Sequence, residues 1–121
     1  VSSTVLIVDD DAGIANLIKD VLAPQGYSAD IVANAEDAFI KIQAGSPGVI
    51  LLDLMLPGMD GFAALEKLKS ESATANIPVL MVSTLTEKSY QRKATTLGAA
   101  GFIAKPFSPG DLVAAVKKAT A

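Results

Sequence analysis

The 121-residue chain contains no cysteine, no histidine and no tryptophan. Without thiols there is no disulfide, no thiolate metal site and no thiol nucleophile, and the lack fits a reducing compartment. Without imidazole there is no Ser-His triad and no histidine base, so any chemistry must run on carboxylates, lysine, hydroxyls or a metal. Charge is sparse as well. Charged residues make up 19% of the chain and the formal net charge is −3, so a duplex-binding face built from clustered Lys and Arg is not expected, and direct nucleic-acid contact with it. Apolar runs such as Val49 to Leu52 are far too short to cross a bilayer, and the N-terminus lacks the charged-then-apolar order of a signal peptide. No membrane partner is expected, and a cytoplasmic location is the default.

Half of the residues are apolar, enough for one unit over residues 1–121 to bury a core without disulfides. Val5-Leu6-Ile7-Val8 reads as a buried parallel strand that stops at Asp9-Asp10-Asp11. Ile14, Leu17, Ile18, Val21 and Leu22 then recur as one helical face, which Gly26 is placed to end, and Asp11 reads as a cap for that helix. Residues 27–32 read as a second strand. Asn34 caps a helix with Ala35, Ala38, Phe39 and Ile42 inward, and Val49 to Leu52 is a third strand ending at Asp53. The turn-rich Pro57-Gly58-Met59-Asp60-Gly61 leads to a helix carrying Phe62, Leu65 and Leu68. A fourth strand, from Pro78 to Val82, ends at Ser83, and a fifth, Gly101 to Ala104, ends at Lys105. Between these two, residues 87–97 form a weakly amphipathic helix with only Tyr90, Ala94 and Leu97 as its stripe, and Ser108-Pro109 opens the last helix. Five strands alternating with five helices predict an α/β fold, a doubly wound parallel sheet covered on both faces.

In such sheets function gathers at the carboxyl ends of the strands. The polar residues closing the apolar strands are Asp9 and Asp10, Asp53, Ser83 and Lys105. Three carboxylates about 4 to 6 Å apart repel by a few kcal/mol per pair, so the edge calls for positive charge. Magnesium, which takes one or two carboxylates with water and a phosphate oxygen, is the economical choice, and Lys105 adds a second cation. An ionised Asp53 could then attack phosphorus to give an acyl phosphate, with Ser83 donating a hydrogen bond to the transferred group. Each residue alone has an ordinary explanation as a turn, cap or surface group. Acids, a hydroxyl and a lysine closing four strands on one edge do not.

Leu6-Ile7-Val8-Asp9-Asp10, the segment from Leu52 to Gly61, Val82-Ser83 and Lys105-Pro106-Phe107 together resemble the signature segments of CheY-like response-regulator receiver domains of two-component signal transduction. The resemblance implies a five-stranded flavodoxin-like (βα)5 fold with strand order 2-1-3-4-5 and a cis peptide before Pro106. It implies that Asp53 is the phosphoacceptor, that Lys105 and Ser83 contact the phosphoryl oxygens, and that Ser83 and Phe102 form a switch. Magnesium is implied at Asp10, Asp53 and the Met55 main-chain carbonyl, with Asp9 bound directly or through water. A histidine kinase or histidine phosphotransfer protein would supply the phosphoryl group to a signalling domain that is not an enzyme in its own right. The output partner is left unnamed, and a phosphorylation-dependent homodimer is left open. Three alternatives are a pseudo-receiver interaction module without phosphotransfer, a flavodoxin-like small-molecule binder, and a haloacid-dehalogenase-type phosphatase. The first loop lacks the phosphate-binding glycines of the second, and Asp53-Leu54-Met55 lacks the Asp-x-Asp of the third.

Overall fold

The computed structural model describes residues 3–121. Five strands, β1 Thr4–Val8, β2 Ser28–Val32, β3 Val49–Leu52, β4 Val79–Ser83 and β5 Gly101–Ala104, alternate with five helices, α1 Ala12–Leu22, α2 Ala35–Ala44, α3 Gly61–Ser70, α4 Lys88–Thr96 and α5 Pro109–Thr120. The strands form one parallel sheet in the order β2-β1-β3-β4-β5. Successive side chains of a strand point to opposite faces, and here both faces are dry. Leu6, Val8, Ile50, Leu52 and Met81 pack under α2, α3 and α4, and Val5, Ile7, Leu51, Val82 and Ile103 pack under α1 and α5. That is why the strands read as unbroken apolar runs instead of alternating ones.

The helix starts follow the capping residues. Asp11 accepts from the Gly13 and Ile14 N–H groups, Asn34 from Asp37, Asp60 from Ala63 and Ser108 from Asp111, satisfying donors that no helix can satisfy internally. Three sequence expectations are corrected. Leu17 is 48% exposed, because α1 turns its Ala15, Ile18 and Leu22 line to the sheet, and a residue next to Ile18 lies about 100° around the helix. Gly26 does not end α1. The helix stops at Leu22, a 3-10 turn over Ala23–Gln25 follows, and Gly26 caps that turn at φ 92, a conformation glycine adopts without steric cost. Tyr27 lies outside β2, its hydroxyl within 3.0 Å of Thr120 Oγ1 on α5.

As expected, α4 is the least anchored helix, with Ala94 its one buried residue. Tyr90 supplements that grip, stacking on Phe62 of α3 with centroids 6.2 Å apart, while the Lys93 ammonium sits 4.6 Å over the same ring. None of the helices among the described residues is long and apolar enough to cross a membrane.

Candidate phosphoacceptor site

Strand register brings the polar strand ends together. Val8 pairs with Leu52 and Ser83 with Ala104, so Asp9 and Asp53, one residue further on, leave adjacent strands side by side, and Lys105 follows at the sheet's edge. The backbone ladder continues into the site. Asp9 N–H donates to Val32 O at 3.0 Å, Asp53 N–H to Val8 O at 3.0 Å and Lys105 N–H to Ser83 O at 2.8 Å. Each functional side chain therefore starts from a fixed backbone.

Lys105 links the acids. Its ammonium donates to Asp9 Oδ2 at 2.7 Å and to Asp53 Oδ2 at 3.1 Å, and both carboxylates are buried, with Asp9 3% and Asp53 7% exposed. The remaining oxygens are also used. Asp9 Oδ1 accepts from Asp11 N–H and Asp53 Oδ1 from Met55 N–H. Burial raises the Asp53 carboxyl above its ordinary pKa, opposed by the Met55 N–H and Lys105 and reinforced by the charge of Asp9. Burial also works against a charged Lys105, but the hydrogen bonds and charges of Asp9 and Asp53 outweigh it and hold the ammonium above its usual range. The Lys105–Pro106 peptide is cis.

Asp10 completes an acidic group. One carboxylate oxygen each from Asp9, Asp10 and Asp53 lie within 4.8 Å of one another, with Asp10 exposed. One ammonium against three acids leaves negative charge uncompensated, and an all-oxygen donor set open on one side suits a hard divalent cation. The residues fit such an ion. Met55, whose main-chain carbonyl the family resemblance implies as a further ligand, has a side chain 61% exposed on the segment directly after Asp53.

Ser83 ends β4 fully buried, its Oγ accepting from Leu85 N–H at 3.0 Å. Phe102 is half-buried against the core beneath α2, α3 and α4, and Phe107 is half-buried on the opposite face. In the sequence Gly61 reads only as a turn residue. A Cβ at that position would collide with the Asp53 carbonyl oxygen and lie 2.6 Å from Leu54 Cα, and the Gly61 N–H donates to Leu54 O at 2.9 Å. The available signal was a glycine directly after a capping Asp, where most helices place a better helix former.

The family model of the response regulator receiver domain matches residues 5–117. The chain belongs to this family. As a receiver domain it acts as a phosphoacceptor in two-component signalling. Among curated proteins it is 38% identical over 117 residues to the phosphate regulon transcriptional regulatory protein PhoB of Pseudomonas aeruginosa, covering 97% of this chain and 51% of that protein. It is 34% identical to the DNA-binding response regulator MtrA of Mycobacterium leprae, covering 93% and 49%. The receiver chain thus spans about half the length of the curated relatives it matches. The structure of the receiver domain of NtrX from Brucella abortus superposes with a TM-score of 0.89 at 30% identity, covering 96% of this chain and 97% of that one. The chemotaxis protein CheY4 of Vibrio cholerae does so with 0.91 at 28%, covering 98% and 99%.

Proposed function

We propose that residues 1–121 act as one receiver unit that takes a phosphoryl group onto Asp53 from a histidine kinase or histidine phosphotransfer protein. The observation that carries the reading is the shared Lys105, hydrogen-bonded to both Asp9 and Asp53 at the mouth of an acidic group. Asp53 is the nucleophile. Its carboxylate oxygen forms the new O–P bond as the donor's P–N bond breaks and the imidazole leaves with the electron pair. Lys105 already reaches Asp53 Oδ2 and meets the charge on the incoming oxygens. The Ser83 hydroxyl accepts from Leu85 N–H and keeps its own proton to donate to a phosphoryl oxygen. Magnesium, held by Asp10, Asp53 and the Met55 carbonyl with Asp9 direct or through water, would neutralise phosphoryl charge when bound.

On this reading the domain promotes only its own phosphorylation and dephosphorylation, works in the cytoplasm, and contacts neither membrane nor nucleic acid directly. Phosphorylation changes a partner-binding face through Ser83, Phe102 and the loosely held α4, for an output partner or a second copy. Intact-mass measurement with magnesium and a phosphorylated kinase or small acyl-phosphate donor tests it. A single added phosphoryl group is expected on the parent and none on Asp53→Ala; a parent that gains nothing from a competent donor overturns the assignment.

A further inference from the structure

We propose that Gly61 is a positioning residue for the acceptor: lacking a side chain, it lets the first turn of α3 press against the Asp53 backbone and so fixes the segment 53–55. The inference rests on the reading of Asp53 as phosphoacceptor. Gly61 is not needed for its dihedral freedom, since the glycines at positive φ are Gly26, Gly58 and Gly98. Glycine is also a poorer helix former than alanine. What offsets that cost is space. An added Cβ would meet the Asp53 carbonyl oxygen, would lie 2.6 Å from Leu54 Cα and 3.0 Å from the Asp53 carbonyl carbon, and every one of these atoms is backbone that cannot swing aside.

The contact closes a clamp. On one side Asp53 N–H is tied to Val8 O of β1; on the other Gly61 N–H is tied to Leu54 O. Asp60 holds the α3 turn in place by accepting from Ala63 N–H at 2.9 Å. Between the two ties lies the Asp53 carboxylate, and directly after the second come the Met55 N–H that orients it and the Met55 carbonyl. Displacing either α3 or residues 53–55 to admit a methyl group would rotate that carboxylate away from Lys105 and separate it from Asp9 and Asp10. Gly61 touches no reacting atom and acts through Asp53 and Met55.

The experiment compares Gly61→Ala with Gly26→Ala. Gly26 lies at the opposite end of the sheet and has a positive φ with nothing within 4 Å of a built Cβ, so its substitution strains the fold without touching the site. Magnesium affinity of the unphosphorylated protein is read by calorimetry, and phosphorylation rate by intact mass at limiting and saturating acyl-phosphate donor. Gly61→Ala is expected to weaken magnesium binding at least tenfold and to slow phosphorylation at saturating donor by about 100-fold, the scale of an ångström-sized misplacement. Gly26→Ala is expected to lower thermal stability and leave both unchanged. Equal effects in the two variants overturn the proposal. Should Gly61→Ala not fold, Asp60→Ala loosens the same turn without adding bulk, and unchanged magnesium affinity in it overturns the proposal too. A parent that binds magnesium through the acids but takes no phosphoryl group sinks the acceptor reading alone, because the calorimetric comparison still decides Gly61.

Discussion

Lys105 serves two buried acids with one ammonium, so its loss leaves both without a counter-charge. Lys105→Ala is expected to destabilise the metal-free protein by about 2 kcal/mol, in the range for hydrogen bonds to charged groups. In an Asp9→Asn background, where one of the two carboxylates is already neutral, the loss should be smaller. Urea unfolding of the four proteins reads the difference directly. Asp53 has its own pH signature. Its folded pKa is raised above the ordinary 3.8 chiefly by burial, so between those two values the native state binds more protons than the unfolded chain. The contribution of Asp53 to stability is therefore complete below 3.8 and is lost as pH rises through the folded value. Metal-free Asp53→Asn should lack this dependence and be more stable than the parent at neutral pH. Unfolding curves from pH 3 to 8 check the sign, and a parent that loses stability on acidification through that window, relative to Asp53→Asn, would contradict it.

At the scale of elements, α4 is held by one buried alanine and the group formed by Phe62, Tyr90 and Lys93. Phe62→Leu keeps an apolar body while removing the stacked ring and the cation–π partner, together worth about 1–2 kcal/mol. Amide exchange should quicken across α4 and stay unchanged in α1. Strand ends were legible in the sequence because an apolar run closed by Asp9, Asp53, Ser83 or Lys105 is a one-dimensional signal. Caps at Asp11, Asn34 and Ser108 were legible for the same reason, each lying within three residues of the N–H it satisfies. The exposure of Leu17 was hidden, since a helix with apolar residues at 14, 17, 18, 21 and 22 can face the sheet along more than one line. Gly61 against Asp53, and Phe62 under Tyr90 and Lys93, depend on how α3 docks onto β3 and α4, which local periodicity does not encode.

For the whole molecule, the carboxylates that would hold the ion follow β1 and β3, two strands far apart in sequence that meet only in the folded chain, so an ion bound there stabilises the fold. A ligand that binds only the native state adds about 2.7 kcal/mol at one hundred times its dissociation constant. Magnesium should therefore raise the unfolding temperature of the parent progressively with concentration. Asp10→Ala and Asp53→Ala should respond little, as scanning calorimetry at increasing magnesium will show. The sheet order explains the reach of this effect. With β1 and β3 as hydrogen-bonded neighbours and strands on either side of them, the acids meet inside the sheet and not at its rim.

The same arrangement has a temporal side. Asp9 and Asp53 precede Lys105 by 96 and 52 positions, and a ribosome delivers them in that order. A growing chain therefore carries its acids long before the lysine that balances them, and any pairing of β1 with β3 before Lys105 is made sets Asp9 and Asp53 side by side without that ammonium. The internal counter-charge therefore joins the acids only once β5 has been made and has paired with β4.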